Sequence, residues 1–348
     1  MPTTTAVIGG GAIAKSHIDG YQKAGAEVKA VCDVSKEALE KMKAAYKIPV
    51  LTENVKDILN DKSIDAVSVC TPNAFHMEYT IQALEAGKHV ICEKPMAMNA
   101  EQAQKMVDAA KKAKKILMLG HNHRFRPEVQ KVKEMINEGK FGEIYHAKSA
   151  WIRRRGIPGM GGWFTTKSKS GGGPLIDIGI HIMDVTWYLM GMPKPVSISG
   201  MTYRKFGDIA KYVCSSMWAG PRKLDGVMDV EDFATALIRF EGGKTMSIEV
   251  SWAANRNQDD HVYIMGDKAG ALLKMDGATT IFGEHDNMIV TEQVEFDKAP
   301  YKDRIAHFVD CVQGKAECIC TGEHGLLDQK MLDAWYKSSE QGKEVAIN

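Results

Sequence analysis

The 348-residue chain has almost no charge excess and no long apolar run. Lys and Arg number 45 and Asp and Glu number 44, so the formal net charge is +1. Proteins that bind nucleic acid by neutralising phosphates carry a basic excess, so no nucleic-acid partner is expected. No segment reaches the roughly 18 consecutive apolar residues that cross a bilayer, and the amino-terminal residues lack the order of a signal peptide. We therefore expect a cytoplasmic protein without a membrane partner.

The seven cysteines predict neither a disulfide framework nor a metal site. Their number is odd, and several end apolar runs, where cysteine acts as a small hydrophobic residue. Cys318 and Cys320 are separated by one residue and have no second pair, so no structural zinc is expected. With 44% hydrophobic and 26% charged residues, the composition is that of a globular protein of about two domains.

The first third of the chain alternates short apolar runs with helical patterns. The predicted strands are Thr4–Gly9, Val28–Asp33, Ala66–Thr71, Val90–Glu93 and Ile116–Gly120. Right-handed crossovers between such strands make a parallel, doubly wound sheet of the Rossmann type. Residues 1–122 are therefore predicted to be an α/β domain that binds a nucleotide.

From about residue 145 the apolar residues alternate with a period of two, which predicts a large, mostly antiparallel sheet. Its predicted strands are Tyr145–Ile152, Val196–Tyr203, Phe233–Phe240, Lys244–Trp252, His261–Met265 and Met288–Phe296. Helices are predicted at residues 174–190, 304–313 and 324–340, and a flexible loop or lid at Lys167–Gly173. Residues 123–348 are thus predicted to be an α+β domain, with packing of the last helix on the first domain left open.

A glycine-rich turn follows the first predicted strand and opens the first helix. In the run from Gly9 to Ala14, Gly9 allows the tight turn, and Gly11 lets the backbone approach a pyrophosphate. The amides of Ala12 and Ile13 lie at the helix amino terminus, where they can bind phosphate oxygens. The turn therefore predicts a dinucleotide site.

Asp33 ends the second strand, 22 residues after Gly11. A carboxylate at this place can bind the adenosine ribose hydroxyls, and it would repel a 2′-phosphate. Lys36 follows closely but no arginine does. The predicted cofactor is therefore NAD, with NADP less favoured.

Three further motifs lie at or near the ends of strands in the first domain. They are Thr71-Pro72-Asn73 with His76, the run Ala86–Val90, and Glu93-Lys94-Pro95. Together they resemble the signature of the Gfo/Idh/MocA oxidoreductases, and the resemblance covers essentially the whole chain. It implies an open-faced second domain whose sheet forms homo-oligomers. It also implies cofactor contacts from Thr71, Pro72, Asn73, His76, Glu93 and Lys94, with Lys94 as a catalytic lysine.

The helix predicted at residues 174–190 is apolar nearly all round. At 100° per residue, Asp177, His181, Asp184 and Tyr188 fall on one polar line. Buried polar groups need partners, so this line is expected to face a polar site. By resemblance, Asp177 and His181 are the acid/base pair of the family.

Oxidation of an alcohol by NAD requires a group that accepts the hydroxyl proton. We expect His181 to be this base, paired with Asp177, and Lys94 to bind the reacting oxygen. The reverse assignment, with Lys94 as the base, stays open.

Other polar residues are weaker candidates for the site. His121 and His123 share a strand face without a third ligand at suitable spacing, so no metal is expected. His123 and Arg124 are predicted to contact cofactor or substrate. Arg154 and Trp163, near glycine-rich turns, are predicted to contact the substrate.

The predicted function is transfer of a hydride between NAD and a secondary hydroxyl of a sugar, glycoside or cyclitol. The preferred case is oxidation of a pyranoside at C3 to a 3-keto product. A redox-neutral enzyme that cleaves or epimerises glycosides through a transient 3-keto intermediate is an alternative, and so is a non-catalytic NAD-binding regulator. The substrate, the hydroxyl and the size of the oligomer stay open.

Overall fold

A computed structural model describes residues 2–215, 217–275, 277–295 and 302–348. The chain divides into two compact units. One contains residues 1–121 together with 302–329, and the other contains residues 122–301 together with 330–348. No helix among the described residues is long and apolar enough to cross a membrane.

The described strands of the first unit form a parallel sheet of six strands in the order β3-β2-β1-β4-β5-β6. Their bounds are β1 Thr4–Ile8, β2 Glu27–Cys32, β3 Val50–Thr52, β4 Ala66–Val69, β5 His89–Cys92 and β6 Leu117–Leu119. The predicted doubly wound sheet is confirmed. The edge strand β3 was not predicted, because three residues are too few to show a periodic pattern.

Helices cover the sheet of the first unit. They are α1 Ala12–Lys23, α2 Lys36–Ala45, α3 Val55–Leu59, α4 His76–Glu85, α5 Ala100–Ala113, α9 Arg304–Val312 and the first part of α10 Gly322–Gln341. α5 illustrates why they form where they do. The Asn99 side chain caps it by accepting from the amide of Gln102, and Ala103, Met106, Val107 and Ala110 make its buried face.

The segment 302–329 belongs to the first unit, whereas the sequence assigned it to the second domain. Two contacts hold it there. Gly20 of α1 lies so close to α9 that a Cβ would be 2.6 Å from the Cβ of Ile305. The Arg304 guanidinium donates to the Gly120 carbonyl at 2.6 Å. Apolar periodicity predicts a helix but does not show which sheet it packs on. Packing of the last helix on the first domain was left open by the sequence, and α9 was not expected there.

The described strands of the second unit form a sheet in the order β14-β13-β12-β11-β7-β10-β9-β8-β15. Their bounds are β7 Ile144–Ile152, β8 Pro195–Tyr203, β9 Phe233–Phe240, β10 Thr245–Ser251, β11 Asp259–Gly266, β12 Ala269–Lys274, β13 Thr279–His285, β14 Met288–Val294 and β15 Val345–Ala346. β7 and β10 pair in parallel and the other neighbours are antiparallel, as predicted. The strands β12, β13 and β15 were not predicted, and Phe296, the predicted end of β14, lies outside the described residues.

The helices of the second unit are α6 Pro127–Asn137, α7 Lys167–Ser170, α8 Ile180–Leu189 and the last part of α10. Short 3-10 turns lie at Asn122–Phe125, Trp163–Thr165 and Glu241–Gly243. The predicted loop at Lys167–Gly173 therefore begins as one helical turn, which Gly171 ends at φ 87°. The predicted helix at 174–190 begins with a π-helical turn, Leu175–Gly179, and continues as α8.

Candidate active site

The glycine turn of the first unit has the geometry that a dinucleotide site needs. Gly9 has φ 99°, and a Cβ there would lie 2.6 Å from the Cys70 carbonyl oxygen, so only glycine fits. A Cβ on Gly11 would meet no heavy atom within 4 Å. Gly11, Ala12 and Ile13 are exposed at the start of α1. The turn therefore presents open space and helix amides, which fits the pyrophosphate of NAD.

Asp33 is fixed by the same turn. One carboxylate oxygen accepts from the amide of Gly10 at 2.6 Å, and the other accepts from the amide of Ser35 at 2.7 Å. The carboxylate is half-buried at the end of β2. It is thus held in one orientation at the carboxyl edge of the sheet, where the adenosine ribose of a dinucleotide is bound in this fold.

His76 joins the turns that follow β4 and β5. Its Nδ1 lies 2.7 Å from the carbonyl oxygen of Pro95, and its Nε2 lies 2.9 Å from that of Thr71. Burial lowers its pKa, although these carbonyls act in the opposite direction. Pro72 is exposed beside them and Asn73 is buried. The structure therefore brings the predicted cofactor residues of both turns together, and the His76 imidazole connects the two turns by hydrogen bonds.

Glu93 is buried, and its partners are side chains of the first unit. Its Oε1 lies 2.7 Å from Arg304 Nη1 and 2.8 Å from His17 Nε2. Burial alone would raise the pKa of Glu93, but Arg304 and His17 hold it well below its usual range. Its second oxygen accepts from the amide of Lys94 at 3.3 Å. Glu93 thus anchors the strand end, while its predicted contact with the cofactor stays a prediction.

Lys94 follows β5 at the carboxyl edge of this sheet. It is half-buried, and its bond to Pro95 is cis, a geometry that the sequence left open. Arg304, which holds the neighbouring carboxylate, was missed by the sequence reasoning. It lies more than 200 residues further along the chain, and no local pattern marks it.

In the second unit, two residues stand out on the helix that carries the predicted acid/base pair. From Gly172 to Met190 every described residue is buried except Asp177 and His181, which are half-buried. Trp252 donates from Nε1 to a carboxylate oxygen of Asp177 at 3.0 Å. The His181 ring packs edge-on against that of His123, with centroids 4.9 Å apart. His123 and His181, both predicted site residues, are therefore neighbours.

The rest of the predicted polar line is structural. Asp184 is fully buried and binds the Arg124 guanidinium through Nε, at 2.9 and 3.0 Å to its two oxygens. The same guanidinium lies over the Tyr188 ring, 5.1 Å from its centroid. Arg124, predicted to contact cofactor or substrate, is thus fully buried and bound to Asp184. A π-helical turn takes more residues than an α-helical turn, so one regular line of 100° steps does not describe this helix.

The amino-terminal end of this helix is held by a buried carboxylate. Glu231 Oε1 accepts from the amides of Gly173 and Leu175 at 3.0 and 3.1 Å, and from the Tyr336 hydroxyl at 2.9 Å. A Cβ on Gly173 would lie 2.0 Å from the Glu231 carbonyl oxygen, and one on Gly172 would lie 2.0 Å from the Tyr336 hydroxyl. These glycines permit close packing as well as a turn. Glu231 and Tyr336 lie far from this helix in the sequence, and no local pattern marks them.

Aromatic and basic side chains extend from His181 along the second unit. The Trp151 ring lies 6.1 Å from the His181 ring. The Arg153 guanidinium lies 5.8 Å from the centroid of Trp151 and 5.5 Å from that of Trp218. Burial lowers the pKa of Arg153, and the nearby Asp177 carboxylate acts in the opposite direction. Arg153 is therefore a basic residue near Asp177 that the sequence did not indicate.

Arg154, the predicted substrate contact, is exposed. The neighbouring Arg153 could have been found from the alternation of β7 continued by one residue, since residues 151 and 153 then share a face. Trp163 stacks on Phe164 with centroids 3.8 Å apart, and Phe164 contacts Trp218 at 5.1 Å. The substrate roles of Arg154 and Trp163 stay predictions, as does the meeting of Lys94 with His181.

Comparisons with known proteins agree with this arrangement. Residues 3–121 match the oxidoreductase family with an NAD-binding Rossmann fold, and residues 129–272 match the GFO/IDH/MocA C-terminal domain. The chain is 35% identical over 357 residues to D-glucoside 3-dehydrogenase of Escherichia coli (strain K12), which covers 99% of this chain and 98% of that protein. It is 26% identical to myo-inositol 2-dehydrogenase of Thermotoga maritima, over 98% of this chain and 97% of that protein.

Among solved structures, levoglucosan dehydrogenase in complex with NADH has the same fold. The TM-score is 0.85 at 22% identity, with 100% of both chains covered. The glycine turn and Asp33, the Glu93-Lys94-Pro95 turn, and the matches to both domains lead to one assignment. The chain belongs to the Gfo/Idh/MocA family of oxidoreductases, and its first domain is an NAD-binding Rossmann domain.

Proposed function

We propose that this NAD-dependent oxidoreductase oxidises a glycoside at C3 of its pyranose ring and releases a 3-keto product. The observation that carries the proposal is the pair Asp177 and His181, which are the half-buried residues of an otherwise buried helix. The 35% identity to a D-glucoside 3-dehydrogenase over nearly the whole chain supports the choice of substrate class and carbon.

The roles of the residues follow from what the reaction needs. When bound, NAD supplies the hydride acceptor. His181 takes the proton of the C3 hydroxyl, and Asp177, oriented by the Trp252 N–H, stabilises the imidazolium that forms. Lys94 binds the same hydroxyl oxygen and stabilises its developing negative charge. Glu93 and Arg304 position Lys94 through the strand end that they hold.

The cofactor preference is also a proposal. Asp33 is fixed by two backbone amides, so its carboxylate cannot swing away from a 2′-phosphate without losing both hydrogen bonds. We therefore propose NAD rather than NADP as the working cofactor.

The test is reduction of NAD followed at 340 nm with methyl glucosides, galactosides and inositols. The proposal predicts NADH from a glucoside, with a product 2 Da lighter than the substrate. Formation of product without NADH would indicate the redox-neutral alternative, and turnover of inositols alone would contradict a glycoside substrate. Absence of turnover with all of them, despite NAD binding, would favour a regulator.

We further propose that the chain forms a homo-oligomer through the sheet of the second unit. On β8, Met201 and Tyr203 are exposed whereas Ile198 and Gly200 are buried, so one face carries uncovered apolar side chains. Light scattering after gel filtration tests this, and a monomer at micromolar concentration would contradict it.

A further inference from the structure

We propose that Trp218, held beside Arg153, is the binding face for an aromatic aglycone, so that the substrates are aryl glycosides rather than free sugars or cyclitols. This inference rests on the proposed function, because it names the substrate class of the same site. It adds a specificity residue that is distinct from the acid/base pair.

The Trp218 indole is supported on one side and open on another. It contacts the Phe164 ring at 5.1 Å with an interplanar angle of 63°, and the Arg153 guanidinium lies 5.5 Å from its centroid. Even with these contacts, Trp218 remains 46% exposed. A large aromatic side chain that is fixed but half open offers apolar surface that a flat ring can cover.

The backbone around Trp218 is held tightly in place. The Gly159 amide donates to the Trp218 carbonyl at 2.8 Å, and the Lys223 amide donates to the Met160 carbonyl at 2.9 Å. A Cβ on Gly159 would lie 2.6 Å from the Ala219 carbonyl oxygen. Two neighbouring segments therefore pack so closely that Trp218 is positioned before any ligand binds, which reduces the entropy cost of binding.

A continuous set of contacts connects this indole to the catalytic helix. Arg153 lies near the rings of both Trp218 and Trp151, and the Trp151 ring lies 6.1 Å from that of His181. In the proposed binding mode, the C3 hydroxyl of the sugar lies at His181 and the group on its anomeric carbon is directed along this row of side chains. The surface that Trp218 offers there is aromatic, and a flat aryl ring covers it more completely than the puckered ring of a sugar or a cyclitol does.

Arg153 explains why the apolar group should be an aryl ring with oxygen substituents. Within the described part of the chain, its guanidinium makes one long hydrogen bond, 3.5 Å to the Gly156 carbonyl. The N–H groups of a guanidinium project in its plane, and this guanidinium lies 5.8 and 5.5 Å from the Trp151 and Trp218 ring centroids. The glycosidic or phenolic oxygens of an aryl glycoside can accept from these edges while the ring covers Trp218.

The experiment compares phenyl β-glucoside with methyl β-glucoside on three proteins: the wild type, Trp218→Ala and Trp218→Phe. Turnover with NAD gives kcat and KM, and calorimetry on the NADH-loaded enzyme gives Kd. We expect the wild type to prefer the phenyl glucoside by about tenfold in kcat/KM and in Kd, since an aromatic contact with its buried area is of that order. W218A should lose this preference through KM, and W218F should retain most of it. Leu224→Ala, a 72% exposed residue of the same segment, is the matched control.

Equal kcat/KM and Kd for the two glucosides in the wild type would overturn the inference. So would an equal loss for both glucosides in W218A, because that result indicates a general structural role. If neither glucoside is oxidised but the phenyl glucoside binds more tightly in a Trp218-dependent way, the proposed function fails and the inference about the binding face stands. If W218A does not fold, the preference of the wild type for the phenyl glucoside and the preference of W218F decide the question.

Discussion

Replacement of Glu231 by alanine should destabilise the second unit strongly. The carboxylate accepts from the buried amides of Gly173 and Leu175, at the start of the helix that carries Asp177 and His181, and from the hydroxyl of the half-buried Tyr336. In Glu231→Ala, three donors lose their acceptor, at roughly 1–2 kcal/mol each, which gives about 3–6 kcal/mol. A domain is stabilised by about 5–15 kcal/mol, so the variant should be close to unfolding.

Urea unfolding followed by tryptophan fluorescence and circular dichroism measures this loss. The transition should move to lower urea concentration with an unchanged slope, as expected for a loss of native-state stability alone. Glu241→Ala is a control, because Glu241 is exposed and pairs with Lys194 on the surface. A loss of less than about 1 kcal/mol in Glu231→Ala would refute the assignment of Glu231 as the helix anchor.

The Glu231→Gln variant tests the charge separately from the hydrogen bonds. Burial raises the pKa of Glu231 above its ordinary 4.5, although its hydrogen bonds act in the opposite direction. The folded protein therefore binds this proton more tightly than the unfolded chain does. The stability contributed by the carboxyl is complete below about pH 4.5 and is lost as the pH rises through the higher folded-state pKa. Gln keeps the acceptor oxygen, so E231Q should lack this decline with pH, and an identical pH dependence in both proteins would contradict the argument.

Three further predictions concern the cofactor edge and the acid/base pair. Asp33→Ser should weaken NAD binding and narrow the preference over NADP, as measured by the two KM values, and an unchanged preference would mean that Asp33 does not contact the ribose. Arg304→Met should cost about 3–5 kcal/mol at pH 7, because the buried Glu93 carboxylate loses its guanidinium partner and keeps the contact with His17. This loss of stability should shrink as the pH falls and Glu93 becomes protonated. Urea unfolding of the wild type and the variant at pH 7 and at pH 5 measures the loss at each pH. His181→Asn should lower kcat by about 10²–10⁴-fold and remove the acid limb of the pH profile of kcat/KM, whereas Lys94→Ala should keep that limb. The opposite pattern would make Lys94 the base.

The regular parts of the fold could be predicted from the sequence because they repeat a pattern several times. The alternation in β7 to β10 and the helical pattern of α5 each extend over enough residues to be distinguished from chance. The two-residue β15 and the three-residue β3 are defined by their neighbours in the sheet, which a local pattern does not contain.

The candidate site was predictable where chemistry requires particular residue types at a fixed spacing. The glycine turn and Asp33 are of this kind, and the structure joins them through the amide of Gly10. Glu231 and Arg304 could not be found in this way, since each acts on a residue far along the chain. The π-helical turn Leu175–Gly179 also has no recognisable sequence pattern. Because Asp177 lies in this turn and Asp184 lies in α8, the two residues are not related by regular α-helical steps.

In the proposed reaction, the hydride that reduces NAD comes from C3 of a glycoside. Phenyl β-glucosides carrying deuterium at C2, C3 or C4 test it directly, with the NADH product analysed by proton NMR and mass spectrometry. We expect deuterium on the nicotinamide from the C3-labelled substrate alone, with a slower turnover for that substrate. Deuterium transferred from C2 or C4, or unlabelled NADH from all three substrates, would contradict it.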